Sequence, residues 1–441
     1  MKTRSMLSRI SALLAVLPVV GLGAAGDEHW DGLFGIPGAD GPIWSIAVHE
    51  RDVYVGGSFT QIGGVSAGNA AKWDGTNWGP LGAGLIGGAL PEIHALALAG
   101  EDLYAGGYFT QAGSTATCGI ARWDGTNWNA VGGGVSGGVR ALVVVDSSLF
   151  VGGTFSSAGA LTVNNVAKWD GTRWSGLSSG ADGEAVDSLA ASGTNLYVGG
   201  RFTRVGSVSA TNIAKWDGTR WSALGGGLRY YDGAGPDGSM VRALLASGSE
   251  LYAGGDFVLA GTCRATNIAR WDGENWWPVG GGIDMAGAVY AVAAAGRDLY
   301  IGGYFRFAGD LAANHIAKWD GAFWSGLGTG LQGEHGSASA IALASNGSDL
   351  LVGGFLQTAG GIPSTNIALW HIPHALAIRS AGEAARVSWP ATGTNFVLEA
   401  KGGVADVGWS EVAQPRIMTN DECVVTDPLS SSNRIYRLRR R

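Results

Sequence analysis

The residues with the most chemical capacity are carboxylates, imidazoles and phenols in segments that interrupt a repeating pattern. Glu92 with His94, and Glu334 with His335, are carboxylate–imidazole pairs of the kind that move protons in acid–base catalysis. The string LRYYDGAGPDGSM, residues 228–240, gathers Tyr230, Tyr231, Asp232 and Asp237. Two aromatic faces beside carboxylates suit stacking on a sugar ring with hydrogen bonds to its hydroxyls. Asp284 stands in a comparable segment, before the sixth repeat. These nine residues form the candidate ligand-binding set.

Stronger catalytic signatures are absent from the sequence. It contains no H-E-x-x-H and no P-loop string. G-x-S-x-G occurs around Ser66, Ser136 and Ser178, but a nucleophile elbow needs a strand before the turn and a helix after it. Each of these copies sits in a Gly-rich loop with no helical pattern behind it. The seven histidines are scattered, and no two share a metal-binding spacing with a Tyr or Cys. No catalytic residue, metal site or cofactor is therefore assigned.

The elements that must position these residues come from an internal repeat. A Gly pair after an apolar run begins at Gly56, Gly106, Gly152, Gly199, Gly254, Gly302 and Gly353, spacings of 46 to 55 residues. Another Gly follows seven residues after each, and a Trp-Asp-Gly follows in six copies, from Trp73 to Trp319. One repeat reads as four short strands: a small apolar strand such as Val241–Ala246, an LYVGG strand, a NIAKW strand and an RWSALG strand. Asp-Gly between the last two is a hairpin turn signal. The recurring Asp of that turn is expected to accept backbone N–H bonds, and the Lys or Arg two residues before it to lie over a Trp. Four antiparallel strands per repeat of this length imply an all-β fold, a seven-bladed β-propeller. The seventh copy has no Asp-Gly after Trp370, whereas Trp30-Asp31-Gly32 and Leu33–Gly38 look like the end of a third strand and a fourth strand. An N-terminal strand closing the last blade follows as an expectation.

Hydrophobic-Gly-Gly, then Trp-Asp and a second Trp five residues after the first, as at Trp216 and Trp221, resembles the kelch repeat. The fuller string LYVGGxFTxAG…NIAKWDGTxW is similar to kelch-like propellers of exported bacterial proteins and of fungal cortical polarity markers. The resemblance covers roughly residues 30–370. It implies the fold, while propellers of this type serve as oxidases, lectins, scaffolds and receptors.

Residues 1–25 read as a signal peptide: a basic start (Lys2, Arg4, Arg9), an apolar run and small residues Gly23 and Ala25 before a cut. The division is then 1–25 leader, 26–371 propeller and 372–441 a C-terminal module whose strand runs resemble a small β-sandwich. Three Cys in separate units suggest no disulfide. A net charge of −7 repels phosphate backbones, excluding nucleic acid as a natural partner, and no later segment is long and apolar enough to span a membrane. The expectation is a secreted or cell-surface monomer that binds glycan or an extracellular protein without catalysis. The alternative is a polysaccharide-active enzyme with its site at the propeller funnel.

Overall fold

A computed structural model describes residues 26–34, 36–230, 238–334, 337–373, 377–381, 384–390, 396–401, 409–418, 422–428 and 435–440. The expected leader, 1–25, lies outside them. Seven four-stranded antiparallel sheets follow one another along the chain. The first is typical: Ile43–His49, Asp52–Gly57, Ala70–Trp73 and Trp78–Pro80, each strand pairing with the next. Adjacent innermost strands touch all the way round, and the last, Ser339–Ser345, meets the first, Ile43–His49. The sheets are thus blades of a closed propeller.

The core lies between blades, because each sheet is apolar on both faces. Seven apolar clusters each join one sheet to the next: Tyr54, Leu96 and Trp128 join the first to the second, and Tyr300, Val352 and Trp370 join the sixth to the seventh. The ring closes through Leu351, Ile367 and Val55. In six blades the fourth-strand Trp also ties its blade to the preceding one through its indole N–H. Trp128 Nε1 donates to the Leu81 carbonyl at 2.8 Å, and Trp221 Nε1 to that of Leu177 at 3.0 Å.

Closure uses the N-terminal segment, in a register different from the sequence expectation. Trp30–Asp31 is itself the fourth strand of the last blade, Trp30 opposite Trp370. Trp30 therefore matches the second Trp of a repeat, and its Nε1 donates to the Leu327 carbonyl at 3.0 Å like its counterparts. The described residues of Leu33–Gly38 form no strand, and just beyond them Ala39 N–H bonds the Thr365 carbonyl at 3.0 Å. The Asp of the Trp-Asp-Gly turn behaves as expected, Asp74 Oδ1 accepting from the N–H groups of Thr76 and Asn77. The Lys does not lie over a Trp. Lys72 pairs with Asp52 at 2.6 Å and covers the Tyr54 ring, because a cross-strand carboxylate sits within its reach.

Between second and third strands each blade adds a short ribbon, such as Gln61–Ile62 with Val65–Ser66, which was not expected. In several blades this ribbon pairs with the incoming connection from the preceding blade, as Leu85–Ile86 does with Gln111–Ala112. After residue 376, the described strands form a four-stranded and a three-stranded sheet. Val387, Trp389, Leu398, Val425 and Leu438 from the two sheets share one apolar core.

Candidate functional site

The Gly pair of each repeat shapes the site. A Cβ on its first Gly would run into the neighbouring blade: at Gly152 it would lie 2.6 Å from Val186 Cγ1. A Cβ on its second, Gly153, would collide with the Gly138 carbonyl of its own innermost strand. That close approach accompanies a β-bulge, and in every blade the innermost strand carries one residue with no cross-strand partner. The seven are Trp44, His94, Arg140, Asp187, Arg242, Tyr290 and Ile341. A bulge re-aims its extra side chain. Here all seven line one cavity of about 540 Å³ at the mouth of the central channel, joined by Glu92, Tyr108, Ser339 and Phe355.

The mouth has two unlike halves. Blades six, seven, one and two supply rings in succession. Phe355 meets Trp44 edge-on at 5.5 Å, Trp44 meets His94 at 5.4 Å and His94 meets Tyr108 at 5.6 Å. Blades three, four and five supply charge. Arg140 Nη1 bonds Asp187 Oδ1 at 2.8 Å, and Arg242 Nε bonds Asp256 Oδ2 at 2.6 Å. The Arg242 guanidinium also stands 5.1 Å from the Tyr290 ring centroid, a cation–π contact that joins the halves.

Three buried polar atoms at this mouth lack a hydrogen-bond partner: Trp44 Nε1, Arg140 Nε and Asp187 Oδ2. Buried polar groups are nearly always satisfied, so two donors and an acceptor around one cavity mark where a bound molecule or water completes the bonding. Burial pushes the Asp187 carboxyl above its usual range, against the opposing pull of Arg140. Burial also holds His94 below the ordinary imidazole value, although Glu92 Oε2, 2.9 Å from Nε2, opposes it.

Of the nine sequence candidates, Glu92 and His94 fall in this cavity. Glu334 lines an adjoining one of about 520 Å³. Asp284 is occupied elsewhere: its Oδ1 accepts from the N–H groups of Arg306 and Phe307. Asp40 and Asp182 do the same for their blades, and Ser136 does so through its hydroxyl, which gives that G-x-S-x-G serine a structural task. Tyr230 is half-buried and is not among the residues lining the mouth. Tyr231, Asp232, Asp237 and His335 lie outside the described residues.

Sequence reasoning missed Trp44, Arg140, Asp187, Arg242, Tyr290 and Ile341. The signal was present as the one variable position in a constant frame: Ile43-Trp44-Ser45, Val139-Arg140-Ala141, Val186-Asp187-Ser188, Val241-Arg242-Ala243. An apolar residue before and a small one after are demanded by blade packing, while the residue between them is free to differ.

No family model matches the chain, and no curated protein matches it significantly. Among solved structures it is similar to the computationally designed Ika8 protein, with 15% identity and a TM-score of 0.44 over 77% of this chain and 99% of that one. It is also similar to YCF48 bound to D1 peptide, with 11% identity and a TM-score of 0.47 over 80% and 97%. YCF48 from Cyanidioschyzon merolae shows 10% identity and a TM-score of 0.41 over 77% and 98%.

Proposed function

We propose that this chain is an exported binding propeller of kelch-like type whose central mouth holds a neutral, polyhydroxylated ring, a sugar unit of an extracellular glycan. The carrying observation is the trio of unpartnered buried atoms, Trp44 Nε1, Arg140 Nε and Asp187 Oδ2, beside a wall of aromatic rings. Hydroxyls both donate and accept, so one sugar ring can satisfy two donors and an acceptor while its C–H face stacks on an aromatic side chain. Charge balance favours a neutral ligand: Arg140 is matched by Asp187 and Arg242 by Asp256. The carboxylates at the mouth are already bonded, Asp187 to Arg140 and Glu92 to His94, which supports binding over hydrolysis.

The reading includes export through a leader cut near Ala25, a propeller over residues 26–371 and a separate β-sandwich module over 372–441. A glycan array tests it. The intact protein should retain a set of neutral glycans that the Trp44→Ala and Asp187→Asn variants release. An array with no retained glycan, or retention untouched by both variants, would refute the assignment.

A further inference from the structure

The central mouth does not stand alone on its face. Two further cavities open beside it, each of a size that holds a small ligand. One of about 550 Å³ lies between blades two and three and shares Glu92 and Tyr108 with the mouth. The other, of about 520 Å³, lies towards blades six, seven and one and shares Ser339 and Phe355 with it. The shared side chains set the three spaces side by side along the aromatic half, and together they outline a trough. Its exposed rings include Tyr108, Phe355 and Tyr304, three blades' versions of the residue after the Gly pair.

The two ends differ in chemistry. The first is walled mainly by apolar groups: Leu90, which is 75% exposed, with Phe109, Val135 and Cys118. The second presents Glu334 and Gln357 beside the Tyr304 ring. A compact single sugar would use only the middle. A trough with an aromatic wall, polar groups at one end and an apolar slot at the other suits a chain of rings with a methyl-bearing substituent on the unit over the slot.

We infer that the occupant is a linear oligosaccharide of at least three units, N-acylated on the unit that lies between blades two and three. This deepens the sugar-binding reading of the mouth and rests on it.

The experiment is calorimetric titration of the full chain with two ladders of one to six units, β-1,4-linked N-acetylglucosamine and β-1,4-linked glucose. Affinity is expected to rise at least tenfold between one and three N-acetylated units and then level off, and to exceed that for glucose oligomers of equal length. Tyr304→Ala, and separately Leu90→Ser, should reduce trimer affinity to near the monomer level while leaving monomer affinity unchanged. Both residues are exposed, so unaltered thermal melts will show that neither variant acts by unfolding. Monomer binding without any gain from length overturns the trough and leaves the mouth assignment standing. Equal affinity for the two ladders overturns the acyl slot. No heat from either ladder, with an empty glycan array, overturns the mouth assignment and this inference together.

Discussion

Arg140 Nη1 donates to Asp187 Oδ1 at 2.8 Å across the joint between the third and fourth blades, and each residue is the extra one in its own bulged strand. The same local distortion, repeated in neighbouring sheets, brings a guanidinium and a carboxylate together although 47 residues separate them. The pairing is incomplete, since Arg140 Nε and Asp187 Oδ2 remain unpartnered. The bond therefore presets both groups for a ligand and leaves each with capacity to spare.

Asp187 should control the pH dependence of binding. Burial raises its folded-state pKa, so acidification protonates it above the ordinary carboxylate range and removes the charged acceptor. Glycan affinity should fall as pH drops through that raised value, and Asp187→Asn should bind weakly with no such dependence. Stability runs the opposite way. A raised folded pKa contributes stability that is whole below the unfolded value near 3.8 and is lost as pH rises through the folded one. Asp187→Asn should therefore gain stability relative to the parent between acid and neutral pH. Asp187→Ala strands Arg140 and should cost about 1–2 kcal/mol, less than for a fully buried pair because Arg140 reaches solvent. Denaturant titrations across pH will read these differences.

Trp44 links the aromatic wall to the hydrogen-bonding trio, so two Trp44 substitutions should separate its contributions. Trp44→Phe keeps a ring against Phe355 and His94 but removes the Nε1 donor. It should weaken glycan binding by about 1–2 kcal/mol, the worth of one hydrogen bond and its geometry. Trp44→Ala removes the platform too and should abolish detectable binding. Calorimetric titration with one glycan from the array will distinguish the two steps.

The fold was legible because blade packing imposes the same residues seven times. The Gly pair, the Asp-Gly turn and the paired Trp recur because each prevents a collision, turns a hairpin or bridges two blades. The site was poorly legible for the converse reason. Repetition reveals what every blade needs, whereas Trp44, Arg140, Asp187, Arg242 and Tyr290 are residues in which blades differ. Glu92 and His94 were found as a short carboxylate–imidazole pair, not as members of a ring. Asp284 resembled a site residue in sequence, yet its turn consumes its carboxylate. The shift in register at Trp30 had a local cause as well: its Trp-Asp-Gly matches the third-strand signature, but only a fourth strand was missing from the last blade.

That closure gives a prediction about stability. Trp30 is 4% exposed, packs edge-on against Trp370 at 5.0 Å and bonds the Leu327 carbonyl. Its neighbour in the clasp, His371, reaches Asp349 through Nδ1 at 2.6 Å and Asp31 through Nε2 at 2.8 Å. Trp30→Ala should destabilise the propeller by about 3–5 kcal/mol, the usual cost of removing a large buried ring. The exposed Trp277→Ala should cost no more than about 1 kcal/mol. Urea unfolding of the two variants side by side will show whether the first and last sheets are held as one unit. Equal costs would contradict the clasp.

His315 offers the opposite case, a position where the present residue costs stability. Five blades place an Asn here in the left-handed backbone region, and His315 takes the same conformation at φ 66°. Asn212 shows what the Asn does: Oδ1 accepts from Phe202 N–H at 3.1 Å, and Nδ2 donates to the Leu228 carbonyl at 2.8 Å. His315 instead leaves Nδ1 buried without a partner. His315→Asn should therefore stabilise the protein by about 1–2 kcal/mol, the gain from satisfying a buried site. The gain should depend on pH. Burial first, then Arg306, holds the His315 pKa below its ordinary value. The neutral ring's contribution is whole above about 6.5 and is lost as pH falls through the lower folded-state value. The advantage of Asn should thus widen from pH 8 to pH 5 in thermal melts. His315 also packs at 5.6 Å against Tyr304, the ring at the polar end of the trough. The stabilised variant should accordingly bind the N-acetylglucosamine trimer more weakly and the monomer unchanged, as expected where a binding surface keeps a residue that the fold alone would replace.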